Sequence, residues 1–255
     1  PPLLCAQTGM QRVRDRRALP LGKGRRVLRM TALGQALHVW RCGVASPSWN
    51  MAADELMLRE AAALGQAALR FYSWDQPSSS FGYFQRYADV EGWTELRPLI
   101  RRPTGGGLVQ HDKDEWTYSL TFPPCHPWWQ LKAEESYRRV HDWLRRAFER
   151  CGVVTELCPE TRPAGAGQCF VGAEKSDLLY CGNKIAGAAQ RRNRSGLLIQ
   201  GSVQAKGTGV ERPSWETAML AEVQCSEWQP PESFTDETKR LAKRKYESYS
   251  HNQKR

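Results

Sequence analysis

The sequence predicts an α+β fold built on a largely antiparallel or mixed β-sheet. Three observations lead there. Runs with β-type alternation and stretches with a helical apolar period both recur, but they do not alternate as regular βαβ units. The 255 residues are 40% hydrophobic and 25% charged, a globular composition long enough to bury a sizeable core. No apolar run approaches the roughly 18 residues that a membrane-spanning helix needs. The eight cysteines are scattered without a C-x-x-C pair, which argues against a disulfide scaffold or a zinc ribbon and for a reducing, cytoplasmic setting. The five histidines form no H-E-x-x-H or H-x₃₋₅-H pair, so no metal site is expected.

Each element follows from its residues. HVWRC, 38–42, reads as a short strand. Asn50 is placed to cap a helix starting at Met51, whose Ala53, Leu56, Met57, Ala61 and Leu64 share one apolar face before Gly65 stops it. ALRFYSW, 68–74, is a β-type run leading into QPSSS, read as a loop. RPLIRR, 97–102, and WTYSLTF, 116–122, are further strands, and Pro123, Pro124 and Pro127 then break the pattern. A second helix carries Tyr137, Val140, Leu144, Ala147, Phe148 and Cys151 on one face, with Gly152 as its stop. SDLLYCGNKIAGAAQ and GLLIQGSVQ read as paired strands, and helical stretches near 214–225 and 236–249 follow.

The net charge of +10 sits at the two ends. Residues 1–30 carry +7, residues 236–255 carry +4, and 31–235 carry −1. The first segment mixes Pro, Gly and Arg without periodicity and is expected to be a disordered basic extension, with Met30 a candidate start. Residues 236–255 are expected to form a basic C-terminal helix or tail. A near-neutral body between solvated basic ends argues against a nucleic-acid partner despite the pI of about 9.4.

Three places could carry chemistry. Arg101-Arg102-Pro103-Thr104-Gly105-Gly106-Gly107-Leu108-Val109-Gln110-His111-Asp112 sets three glycines between β-type runs, where a ligand could lie against bare backbone amides. Its two arginines are suited to a phosphate or carboxylate, but the loop lacks the G-K-[ST] of a Walker site. An ordinary hairpin with exposed arginines reads equally well. Lys184 stands in GNKIAGAAQ among small residues, including Gly187 and Ala188, that let a substrate chain approach; a snorkelling lysine is the plainer alternative. Cys169 lies in the glycine-rich GAGQCF and becomes a nucleophile only if a cation stabilises its thiolate; a buried, inert thiol is the plainer alternative.

Together, RRPTGGGLVQHD, then YSLTF, then GNKIAGAAQRR and GLLIQGS resemble the lipoate/biotin protein ligase family from about Leu37 to about Cys225. The resemblance implies a central mixed β-sheet flanked by helices, the class II biotin/lipoate protein ligase-like fold, with a catalytic domain over 31–235. It also implies attachment of octanoyl, lipoyl or biotin to a lysine of an acceptor domain. In the cysteine-dependent octanoyltransferase branch the nucleophile precedes the lysine motif, and Gln168-Cys169-Phe170 followed by Asp177-Leu178-Leu179 is similar to that context. By resemblance, Cys169 and Lys184 are the catalytic pair. Arg101, Arg102, Thr104, Gly105, Gly106, Gly107, Leu108, Val109, His111, Gly187 and Ala188 are the substrate-binding set. The implied partners are octanoyl-acyl carrier protein and a lipoyl acceptor domain, either glycine cleavage H protein or 2-oxoacid dehydrogenase E2. No cofactor is implied, whereas the family's ligase chemistry would need ATP and Mg. Gln200 stands where the family usually carries the His of H-G-[ST], so an acid–base role for that side chain is lost here.

Overall fold

The computed structural model describes residues 36–162 and 172–254. The basic extension expected for 1–30 and the segment holding Cys169 lie outside the described residues. Two sheets organise the rest. The larger contains β1 (Leu37–Ala45), β2 (Ala67–Trp74), β6 (Trp116–Phe122), β7 (Glu156–Leu157), β8 (Leu178–Tyr180), β9 (Asn183–Asn193), β10 (Gly196–Val203) and β11 (Cys225–Glu227). Its order is β11-β1-β2-β6-β10-β9-β8-β7. β1 runs parallel to both β11 and β2, and every pairing from β2 onward is antiparallel. The smaller sheet, β4-β3-β5, joins β3 (Ser78–Phe81), β4 (Leu99–Arg101) and β5 (Val109–His111). The sheet is mixed, as the sequence predicts.

Strand β2 shows why both sheet faces must be covered. Ala67, Leu69 and Phe71 enter one core cluster, while Ala68 and Tyr72 enter the other, the period of two that a strand imposes. The first cluster is closed by α5 (Ala133–Arg150) and α6 (Arg212–Leu220). Val140, Trp143, Leu144, Ala147 and Phe148 form one stripe of α5 at i, i+3, i+4, i+7 and i+8. Trp143 donates its indole N–H to the carbonyl of Met219 at 2.9 Å. The second cluster is closed by α1 (Pro47–Arg59) and α7 (Glu232–Leu241), through Met51, Met57, Phe234 and Leu241.

Three expectations need correction. The first helix begins at Pro47, and its cap is Ser46, whose Oγ accepts the Trp49 N–H at 3.3 Å. Pro47 suits the first turn, where its missing N–H costs nothing. Asn50 is buried inside the helix and donates to the carbonyls of Ala45 and Ser73. QPSSS is not a loop: Ser78–Phe81 is the centre of the smaller sheet, with the Ser79 hydroxyl bonded to Thr94 and the Ser80 hydroxyl to His111. The boundary placed between 235 and 236 falls inside α7. Beyond it, Ala242 and Tyr246 pack in the second cluster, and α8 (Tyr249–Asn252) reaches β4. The predicted tail therefore forms part of the core.

Candidate active site

A cleft with about 450 Å³ of empty space, mouth included, opens between the two sheets. Met51 of α1, Tyr72 and Trp74 of β2, Val109 of β5 and Ala188 and Ala189 of β9 give it an apolar wall. Arg102, His111, Glu115, Lys184 and Gln200 place charge and hydrogen bonds along the same wall.

Lys184 is fixed by its surroundings. β8 and β9 are joined by the two-residue turn Cys181-Gly182, both at positive φ, a hairpin geometry that matches the strand twist. The Lys184 ammonium lies 2.8 Å from Asp177 Oδ2, with side chains 7% and 0% exposed. Asp177 also receives the Tyr137 hydroxyl and, at 2.6 Å, the Glu174 N–H. Gly187 lets the lysine lie close: a Cβ on it would stand 2.7 Å from Lys184 Cε, which would have to shift. Behind them, His141 donates Nδ1–H to the Tyr137 carbonyl at 3.0 Å. Burial holds its imidazole neutral, down to about 4, against the pull of Asp177.

The glycine-rich segment is shaped by Arg102. Its guanidinium donates to the carbonyls of Ser80, Gly105 and Gly107 at 3.1, 2.5 and 2.7 Å. A side chain at Gly82 would run into the Gly106 carbonyl, so two glycine backbones pack directly together. Thr104 donates to Gln200 Oε1 at 2.6 Å, and Gln200 Nε2 donates to Asp54 Oδ2 at 2.7 Å. Asp54 is wholly buried on α1 and accepts from Arg70, Tyr72 and Ser119 as well. Burial, then the nearby Asp54 charge, pushes the Tyr72 hydroxyl well above its ordinary range. Gln200 thus ties the loop to a buried carboxylate by two fixed hydrogen bonds.

The turn between β5 and β6 builds a third group. Asp112 Oδ1 accepts the N–H groups of Asp114 and Glu115, both at 2.9 Å. That folds Glu115 back on His111, with Oε2 2.6 Å from Nδ1. Ser80 Oγ lies 2.8 Å from His111 Nε2, and the ring stacks on Trp74 with centroids 3.9 Å apart.

Of the residues singled out in the sequence, Arg102, Val109, His111, Lys184, Gly187 and Ala188 line the cleft. Thr104 is buried, Gly105 and Gly107 are half-buried and Gly106 is exposed, none of them in the lining, and Leu108 packs with Phe81, Val90 and Leu99. Arg101 points away. Its guanidinium donates to the carbonyls of Tyr83, Gln85, His251, Asn252 and Lys254 at 2.6–3.2 Å. With five carbonyls around it the guanidinium is engaged with backbone, and Arg101 is not part of the cleft lining. Met51, Tyr72, Trp74, Ser80, Glu115 and Gln200 were absent from that set. One signal was legible: an arginine, Arg70, inside an otherwise apolar strand run needs a buried partner, and that partner is Asp54.

A mixed sheet, an apolar cleft and a buried lysine–aspartate pair frame the site. The family model of the lipoyl protein ligase A/B catalytic domain matches residues 46–222, and the chain belongs to that family. It is similar to octanoyltransferase LipM of Geobacillus kaustophilus, 33% identical over 187 residues that cover 66% of this chain and 66% of the relative. The match thus spans just under two thirds of the relative's own length. A lipoate-protein ligase A bound with ATP superposes with a TM-score of 0.70, at 18% identity, over 86% of this chain and 99% of the other. A bipartite lipoate protein ligase, studied with its E2 lipoyl domain from Thermoplasma acidophilum, superposes at 0.63 and 17% identity, over 86% and 96%. Among the described residues no helix is long and apolar enough to cross a membrane.

Proposed function

We propose that this protein is an octanoyltransferase of protein lipoylation. It moves octanoyl from acyl carrier protein to one lysine of a lipoyl acceptor domain, through a thioester on Cys169. The observation that carries this reading is the similarity to relatives named octanoyltransferase across the segment that builds the cleft. The cleft itself supports it, because an apolar wall beside a fixed ammonium suits an acyl chain with a reactive carbonyl at one end.

In this reading the Cys169 thiolate attacks the donor carbonyl, a new S–C bond forms, and the carrier's sulfur leaves as thiolate. Exchange of one thioester for another is nearly isoenergetic, so the step requires neither ATP nor metal. Lys184, held by Asp177, supplies a positive charge that favours the thiolate and orients the carbonyl. The acceptor lysine then attacks the acyl-enzyme, with H protein and E2 domains as the acceptor class. The cytosol is the compartment this chemistry fits.

The test is intact mass after incubation with octanoyl-acyl carrier protein and no ATP. A hydroxylamine-labile octanoyl adduct, absent from Cys169→Ser, is expected. Full transfer by Cys169→Ala together with an absolute need for ATP would replace this reading with a ligase acting through an acyl-adenylate.

A further inference from the structure

We propose that Ser80, His111 and Glu115 form a proton relay that takes the proton lost by the attacking amine of the acyl acceptor. This rests on the acyl-transfer reading above and gives a role to a cluster that the reading leaves unused. An acceptor lysine attacks only as a neutral amine and sheds a further proton as the amide forms. Lys184 is a cation held on Asp177, and Arg102 is a permanent cation spent on carbonyls. Gln200 cannot titrate.

The three residues have the connectivity a relay needs. Glu115 Oε2 accepts Nδ1–H of His111 at 2.6 Å, which leaves Nε2 as an acceptor. The Ser80 hydroxyl, 2.8 Å away, donates to it, and Ser80 Oγ accepts weakly from Arg102 at 3.3 Å. All three side chains line the cleft. Stacking on Trp74 fixes the imidazole plane, and the turn at Asp112 fixes the carboxylate. The charged and titratable groups around His111 are Glu115 itself, Arg102 at the end of β4, Tyr72 on β2, Lys184 on β9, and Asp112, Lys113 and Asp114 of the turn. The second oxygen of Glu115 is buried and has no hydrogen-bond partner among the described residues. It leaves the carboxylate with unspent capacity to stabilise an imidazolium.

The step balances. The amine nitrogen forms a bond to the acyl carbon, the bond from that carbon to the leaving group breaks, and its electron pair goes to the leaving group. The nitrogen's proton passes to Ser80 Oγ as the Ser80 proton moves to His111 Nε2. The imidazolium, paired with Glu115, then returns its proton to the leaving thiolate or to water. Ser80 touches the amine, and His111 and Glu115 act through it.

The experiment separates the two half-reactions of the full chain. Acylation by octanoyl-acyl carrier protein is followed by mass, and single-turnover transfer from the acyl-enzyme to an apo lipoyl domain is followed between pH 6 and 9. His111→Asn and Ser80→Ala are expected to lose far more in transfer than in acylation, and thermal melts close to that of the wild type show that they fold. Their transfer step should slow by about 100-fold, and its pH profile should change shape. Glu115→Asp should recover part of what Glu115→Gln loses. Wild-type transfer rates and an unchanged pH profile in the variants would overturn the relay and leave the octanoyltransferase reading intact. Equal losses in both half-reactions at every pH would assign the three to the scaffold and also overturn it. Octanoyl found on Ser80 itself would make Ser80 the nucleophile instead. Failure of the wild-type protein to take up octanoyl would overturn the function, and the relay with it.

Discussion

Lys184 and Asp177 form a pair with opposite effects on any thiolate nearby. Removing the cation in Lys184→Gln should raise the pH at which Cys169 is half-alkylated by roughly one unit. Asp177→Asn frees the ammonium from its counter-charge and should lower that pH. Iodoacetamide kinetics across pH 6–10 read both, and a profile that does not move in Lys184→Gln withdraws the electrostatic role assigned to it. Gly187→Ala tests position rather than charge. The added methyl would meet Lys184 Cε at 2.7 Å and displace the ammonium from Asp177. Acyl-enzyme formation should fall at least tenfold, while stability drops by only about 1–3 kcal/mol.

At the scale of elements, what was legible in the sequence was whatever repeats. The α5 stripe, the alternation of β6 and β10, and the β8–β9 hairpin follow from periods of 3.6 and 2 and from turn chemistry. The misread elements lack a period. SSS has loop composition, and Ser78, Ser79 and Ser80 become strand only because β4 and β5 pair with them on both sides. In the same way, the residues facing the cleft come from seven separate elements and two connecting segments. The glycine-rich segment and the lysine strand were visible as motifs, but Ser80, Glu115 and Gln200 join them only in three dimensions. α7 was misjudged from its charge. Its Lys and Arg lie on the outer side, while Phe234, Thr238 and Leu241 are buried at i, i+4 and i+7. Phe234→Ala should therefore cost about 3–5 kcal/mol in urea unfolding. A solvated tail would show less than about 0.5 kcal/mol, and that smaller loss would restore the boundary at 235.

Across the whole molecule, acid should act in two stages. His141 and His251 are both held near 4, chiefly by burial, with Lys184 opposing charge on the first and Lys245 and Lys254 on the second. An unfolded imidazole binds its proton near 6.5. Between about 6.5 and 4 the unfolded chain therefore holds more protons, and stability falls as pH falls. Glu55 adds a lower stage. Burial alone would raise its carboxyl, but the Lys245 ammonium, the Tyr246 hydroxyl and Arg59 outweigh it and hold it at about 2. Its contribution, on the order of 2–3 kcal/mol, is present above the unfolded carboxylate range near 4.3 and is lost as pH falls toward 2. Thermal melts at pH 7 and pH 5 should show a drop in Tm that narrows in His141→Leu, and an unchanged gap would place the acid loss elsewhere.

The carbonyl cage around Arg101 also bears on the order of assembly. Its donors reach residues 150 to 153 positions further along the chain. During synthesis the β4 strand and the segment after it emerge long before those carbonyls exist. Until then a guanidinium destined for burial must stay hydrated, and its strand cannot settle. The cleft is thus completed from its far end: a nascent chain stopped short of α8 would hold every residue of the apolar wall and still lack the clasp that sets β4 in place.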